Sequence, residues 1–167
     1  SSRPFRVASL GGGPGFELLA VKDFCAAHLP AAEVSRTSLD LAASWRPCAE
    51  SLGSGFGEWD VNDGEGLMYA AGLQRIDLAV ISYVLYHYMS TEEISDWLAR
   101  LIVERRVGAV LIVSRFEDLS AQVHAMETRG VRVVRLMRQP QHSRSRFDHR
   151  QLLYLPAADM PPEALPM

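Results

Sequence analysis

The chain has 167 residues, 48% of them hydrophobic, and a formal net charge of −3; that is enough apolar material for one core, too short for two comfortable domains and too apolar for wholesale disorder. No window reaches the roughly 20 apolar residues of a membrane helix, since the best, Ile76 to Met89, is short and carries Asp77 and His87, and no signal peptide opens the chain. Cys25 and Cys48 form no C-x-x-C, so neither a disulfide framework nor a zinc site is indicated, and an intracellular, reducing compartment is expected.

In chain order, Val7-Ala8-Ser9-Leu10 is a short apolar run made largely of strand formers, and it breaks into Gly11-Gly12-Gly13-Pro14-Gly15. From Phe16, apolar residues recur through Leu19, Ala20, Phe24 and Ala27 at helical spacing, and Pro30 stops the helix after Leu29. A strand, a tight turn and a helix start thus follow one another. Glycines let the backbone reach positive φ and let a ligand lie against the main chain, while a helix start offers N–H groups and the positive end of its dipole. Gly11, Gly13 and Gly15 give the spacing G-x-G-x-G. The dinucleotide fingerprint would need glycine at position 16 and a P-loop would need G-K-[ST]; neither is present. The plain alternative is an ordinary turn.

Glu33 to Leu39 reads as a second strand ending in Asp40. An acid at the carboxyl end of a strand in a doubly wound sheet can accept from both hydroxyls of a ligand ribose, and it can also cap a following helix. Leu41 to Leu52 reads as that helix, with Pro47 in its first turn or at a kink. Trp45 is core or a ligand-pocket wall. Gly53, Ser54, Gly55 and Gly57 make a loop, Phe56 to Val61 a short third strand carrying Asp60, and Asn62 to Gly72 an acidic loop followed by a weak helix.

Leu78 to Ile81 is a near-continuous apolar run, as a central strand buried on both faces requires. The chain then turns polar and aromatic at Ser82. Ser82, Tyr83, Tyr86 and His87 stand at the carboxyl end of this strand, where ligands bind in doubly wound sheets, and the imidazole of His87 can act as a base near neutrality; alternatively Tyr83 and His87 pack against the next helix. Asp77 starts the strand, at the end away from such a centre, and reads as structural. Ser90 or Thr91, followed by Glu92 and Glu93, is a helix start. Ile94, Trp97, Leu98, Leu101 and Ile102 then share one face through Arg106. Val107 to Ser114 is a β-branched strand, and Asp118 to Arg129 a helix ended by Gly130. Val131 to Leu136 and Gln151 to Leu155 are the last strands, separated by a polar span, and a proline-rich tail follows. Arg132, Arg135, Arg138, Arg144 and Arg146 crowd this region. They can grip RNA phosphates; the bland alternative is a lineage that prefers arginine codons, with the side chains solvating two edge strands.

This alternation predicts an α/β fold: a doubly wound, mainly parallel sheet of seven strands with helices on both faces and an antiparallel hairpin at the end, forming one domain over residues 1–156 with a tail at 157–167. From Phe5 to Leu155 the chain resembles the class I S-adenosylmethionine-dependent methyltransferases, in the register of G-x-G-x-G, Asp40, Asp60 and the end of the fourth strand. The resemblance implies S-adenosylmethionine as cofactor, held by Ser9, Gly11, Gly13, Gly15, Asp40, Asp60 and Ser82. Asp60, or else Asp63, would meet the adenine amino group. Ser82, Tyr83 and His87 would stand beside the methyl acceptor, with no metal. Position 9, where this family usually carries an acid, is serine, and no N-P-P-Y or D-P-P-Y tetrad follows the fourth strand. The acceptor implied is RNA if the late arginines form a patch, and a protein or small molecule if they do not. The alternative is a domain that keeps the fold but serves assembly without turnover, for which Ser9 is one motive. The other is the want of helices before the first strand, a lid that either lies outside a shortened chain or would be supplied by a partner protein.

Overall fold

The computed structural model describes residues 3–114, 119–136 and 150–157, the side chains of Tyr86 and Arg150 apart. In chain order the elements are β1 (Phe5–Leu10), α1 (Phe16–His28), β2 (Val34–Asp40), α2 (Arg46–Ser51), β3 (Gly55–Glu58), α3 (Leu67–Ala71), β4 (Ile76–Ser82), α4 (Leu85–Tyr88), α5 (Glu92–Val103), β5 (Val107–Ser114), α6 (Ser120–Thr128), β6 (Val131–Arg135) and β7 (Arg150–Pro156).

All seven strands join one sheet in the order β3-β2-β1-β4-β5-β7-β6. The first five are parallel to one another, and β7 runs antiparallel between β5 and β6. The doubly wound sheet with a closing antiparallel hairpin is therefore as the sequence predicts. The chain winds outward from β1 to β3, then returns to place β4 on β1's other side. That reversal puts a crevice outside the carboxyl ends of β1 and β4, where ligands bind in such sheets.

Burial follows from the central position of β1. Val7 faces Leu18 of α1 and Val80, in a small cluster on one side of the sheet. Ala8 and Leu10 face the other side, where a larger cluster gathers residues of α3, α5 and α6. With both faces covered, alternation gives way to the continuous apolar runs of β4 and β5. α5 seals the larger core through Ile94, Trp97, Leu98, Leu101 and Ile102, all buried. Its start is capped by Thr91, whose Oγ1 accepts from the Ile94 N–H at 3.3 Å, one of the two caps expected.

Four local departures from the sequence reading occur, and the first three have physical causes. The expected helix over 41–52 is a 3-10 turn at Ala43–Trp45 followed by α2, because Asp40 Oδ1 accepts from the Ala42 N–H at 2.8 Å and holds the chain in an Asx turn. β3 ends at Glu58 instead of Val61. The Asp63 N–H donates to the Asp60 carbonyl at 2.9 Å, closing a turn there, and Trp59 buries its ring edge-on against Trp97, centroids 5.9 Å apart. α5 stops at Val103 because Arg105 adopts φ 59°, which no helix continues. Finally, the polar aromatic stretch after β4 contains one helical turn, α4. The helix expected over 118–129 is α6, its first expected residue lying outside the described ones.

Among the described residues no helix is long and apolar enough to cross a membrane. Tyr154, on β7, is fully buried, and its hydroxyl has no hydrogen-bond partner among the described residues; burial pushes the phenol well above its ordinary range. Removing that hydroxyl removes a desolvation cost without breaking a bond, so Tyr154→Phe is expected to raise the unfolding free energy by about 1 kcal/mol. Urea denaturation of the two proteins measures this, and a loss of stability would show that the hydroxyl is satisfied.

Candidate functional site

The turn after β1 is lashed to the end of β2. The Leu39 carbonyl accepts from the Gly11 and Gly12 N–H groups at 2.8 and 3.3 Å. Asp40 Oδ2 accepts from the Gly13 N–H at 2.8 Å, while the Ser38 hydroxyl donates to the Gly13 carbonyl at 2.8 Å. The Gly15 N–H closes the turn onto the Gly12 carbonyl at 2.9 Å. Gly13 and Gly15 sit at φ 54° and 77°, left-handed conformations that any other residue adopts at a cost of roughly 1–2 kcal/mol. Gly11 packs on Val84, just past β4; a Cβ on Gly11 would lie 3.0 Å from the Val84 Cγ1 atom. The N–H groups of 11, 12, 13 and 15 are thus spoken for by protein acceptors. The turn itself therefore offers an anion no free N–H group, in keeping with the absence of a dinucleotide or P-loop fingerprint.

The carboxyl edge collects the other expected residues. Asp40 spends one lone pair of each oxygen on backbone N–H groups, leaving the outer lone pairs available to hydroxyl donors. Asp60 lies just beyond β3, half-buried, with Oδ1 accepting from Asn62 N and Nδ2, both at 2.9 Å. Asp63 instead serves the next turn, through Oδ1 and the Gly66 N–H at 2.8 Å. Ser82 ends β4, half-buried. Tyr83 follows at φ 61°, its N–H donating to the Val113 carbonyl at 2.8 Å. An aromatic residue with positive φ is a genuine outlier, and strain of this kind clusters at functional sites. His87 is exposed on α4, its ring centroid 6.2 Å from that of Tyr88. Trp45 stands over the turn, its indole nitrogen 3.5 Å from where a Gly13 Cβ would be. It is 43% exposed, so it is a wall of the crevice and not core.

Ser9 differs from the others. It is fully buried on β1, and its hydroxyl donates to the carboxylate of Glu17, in the first turn of α1. Sequence reading missed Glu17. An acid in the first turn of a helix is common complementarity to the helix dipole, and nothing in an eight-residue separation announces the contact. The arginines are placed elsewhere. Arg132 and Arg135 lie on β6, the edge strand, about 14 Å from β4 by strand spacing; Arg138, Arg144 and Arg146 lie outside the described residues. Asp77 sits at the opposite, amino edge, taking Arg3 Nη2 at 2.8 Å and the Arg6 N–H at 3.0 Å. It borders a groove of about 720 Å³ lined by Phe5, Leu29, Arg75 and Ala109 among others.

No family model matches the sequence, and no curated protein matches it. Solved structures do. The CurJ carbon methyltransferase superposes with a TM-score of 0.66 at 14% identity, over 94% of this chain and 50% of that one. The DszA carbon methyltransferase gives 0.63 at 15%, over 93% and 48%. The plantazolicin methyltransferase BamL, solved with a desmethylPZN analogue and SAH, gives 0.56 at 11%, over 92% and 77%. The chain spans about half the length of the two carbon methyltransferases. At these identities the likeness establishes the fold, which is that of the class I S-adenosylmethionine-dependent methyltransferases.

The turn's packing makes a prediction that spacing alone would invert. A Cβ on Gly12 would overlap Ser9 and fall 2.7 Å from Glu17 Oε1, whereas one on Gly13 meets only Trp45 at ordinary contact distance. Gly12→Ala should therefore cost about 2–3 kcal/mol through overpacking and Gly13→Ala about 1–2 kcal/mol through φ alone. Chemical denaturation ranks them, and the reverse order would contradict the packing described.

Proposed function

We propose that this chain binds S-adenosylmethionine at the glycine turn and serves as a methyltransferase. The observation that carries the proposal is the junction of Gly13 with Asp40 in a sheet ordered β3-β2-β1-β4-β5-β7-β6. It leaves a crevice floored by main chain and edged by carboxylate oxygens, complementary to hydroxyl and cationic groups and not to phosphate. The residues present fit the cofactor in kind. Asp40 would accept from ribose hydroxyls, Asp60 would receive the adenine amino group on its remaining lone pairs, and Trp45 and the exposed Leu41 would shelter apolar surface.

When bound, S-adenosylmethionine supplies a methyl carbon on a sulfonium, an electrophile that asks chiefly for alignment. Gly11 and Val84 fix the turn against the end of β4, so Ser82 and Tyr83 would border the acceptor. His87, one helical turn further on, would take a proton from the acceptor if it carries one.

Two acceptor classes are carried by separate observations. RNA would use Arg132 and Arg135 on β6, with Arg138, Arg144 and Arg146 nearby in sequence, holding phosphates a few nucleotides from the methylated one. A carbon acceptor is favoured by the likeness to the CurJ and DszA carbon methyltransferases, with the exposed imidazole of His87 on α4 as the base that would serve it. Transfer of tritiated methyl groups to total RNA or to small carbon acids separates them, with an Arg132→Glu, Arg135→Glu variant reducing only the former.

Calorimetric titration with S-adenosylmethionine and S-adenosylhomocysteine tests the cofactor. Micromolar binding is expected, weakened by about 1.5–3 kcal/mol in Asp40→Ala, as for a hydrogen bond to a charged group. Folded protein that binds neither would overturn the reading in favour of an assembly domain.

A further inference from the structure

We infer that Glu17 is the cation-binding carboxylate of the crevice and takes the α-ammonium of the ligand's amino-acid part. This deepens the proposed function and rests on it. Three features of the turn lead there. Glu17 Oε1 accepts from the Ser9 hydroxyl, so a fully buried serine beneath the turn fixes the orientation of a carboxylate that would otherwise be free on the first turn of a helix. The same oxygen lies 2.7 Å from where a Cβ at position 12 would be, so the carboxylate lies close against the main chain of the turn. And the turn offers that ligand little anion-binding capacity, because its N–H groups at 11, 12, 13 and 15 already meet Leu39, Asp40 and Gly12.

The second oxygen of Glu17 has no hydrogen-bond partner among the described residues, and no lysine or arginine there pairs with it. A partly buried carboxylate at a helix start is helped by the dipole, but a half-buried charge gains most from a direct counter-ion that also donates hydrogen bonds. An ammonium does both. With Asp40 at one end of the turn and Glu17 at the other, the crevice presents two acceptor groups, one suited to hydroxyls and one to a cation. A nucleoside joined to an amino acid has both.

Glu17→Gln is the informative substitution. The amide oxygen can still accept from Ser9 while the charge is lost. Wild type and variant are titrated with S-adenosylhomocysteine and with 5′-methylthioadenosine, which shares the nucleoside thioether but has no amino-acid part. The expected result is a loss of about 10- to 100-fold for S-adenosylhomocysteine and less than about 2-fold for 5′-methylthioadenosine. Unchanged affinity for the former overturns the inference. So does an equal loss for both ligands, which would mean that Glu17 only holds the turn in shape. Wild-type protein that binds neither ligand overturns the proposed function and the inference with it, an outcome distinct from either of the others. Should the glutamine variant not fold, Glu17→Asp keeps the charge at the helix start but shortens its reach past Ser9, and the same selective loss is expected.

Discussion

The hydrogen bond from the Gly13 N–H to Asp40 Oδ2 is the contact on which the rest of the carboxyl edge depends. It joins two strands where their ladder has ended. With the Leu39 carbonyl and the Ser38 hydroxyl it fixes a turn whose conformations favour glycine. Because Asp40 also takes the Ala42 N–H, the same carboxylate bends the chain after β2 and brings Trp45 over the turn. One acid therefore sets the floor and one wall of the crevice. The Asx turn takes one lone pair of Oδ1 and the Gly13 N–H one of Oδ2, so Asp40 caps no helix and keeps its outer lone pairs.

The polarity of the crevice follows from the same economy of backbone groups. A glycine turn leading into a helix is ordinarily read as an anion site, since its N–H groups are unpaired and the dipole is positive. Here the turn's N–H groups are consumed internally, and the side chains that border it are acids. The turn itself thus offers an anion no N–H group, without any change in the strand-turn-helix geometry. This is why one α/β architecture can host ligands as different as pyrophosphates and sulfonium nucleosides: fold places the crevice, and individual side chains decide its chemistry.

Much of the fold was legible because parallel sheets write a strong signal. The apolar runs of β4 and β5, the helix start at Thr91 and the alternation of strand and helix all follow from burial on two faces. What could not be read was set by contacts between segments distant in sequence. The early end of β3 depends on Trp59 finding Trp97. The position of β7 between β5 and β6 is one of two ways to add a hairpin to an edge, and strand order alone does not choose. The site was legible in part for the same reason. Asp40 and the glycines lie on the chain in the order in which they meet in space, whereas the serine at position 9 looked like a lost acid. The structure brings the Glu17 carboxylate to that serine from the helix that follows.

The most direct measurement is a crystal structure of the chain with S-adenosylhomocysteine. The ligand is expected along residues 11–17, with its ribose at Asp40 and its amino group at Glu17. Density in the groove between Phe5, Leu29, Arg75 and Ala109 at the amino edge, with the glycine turn left bare, would contradict the site assigned above.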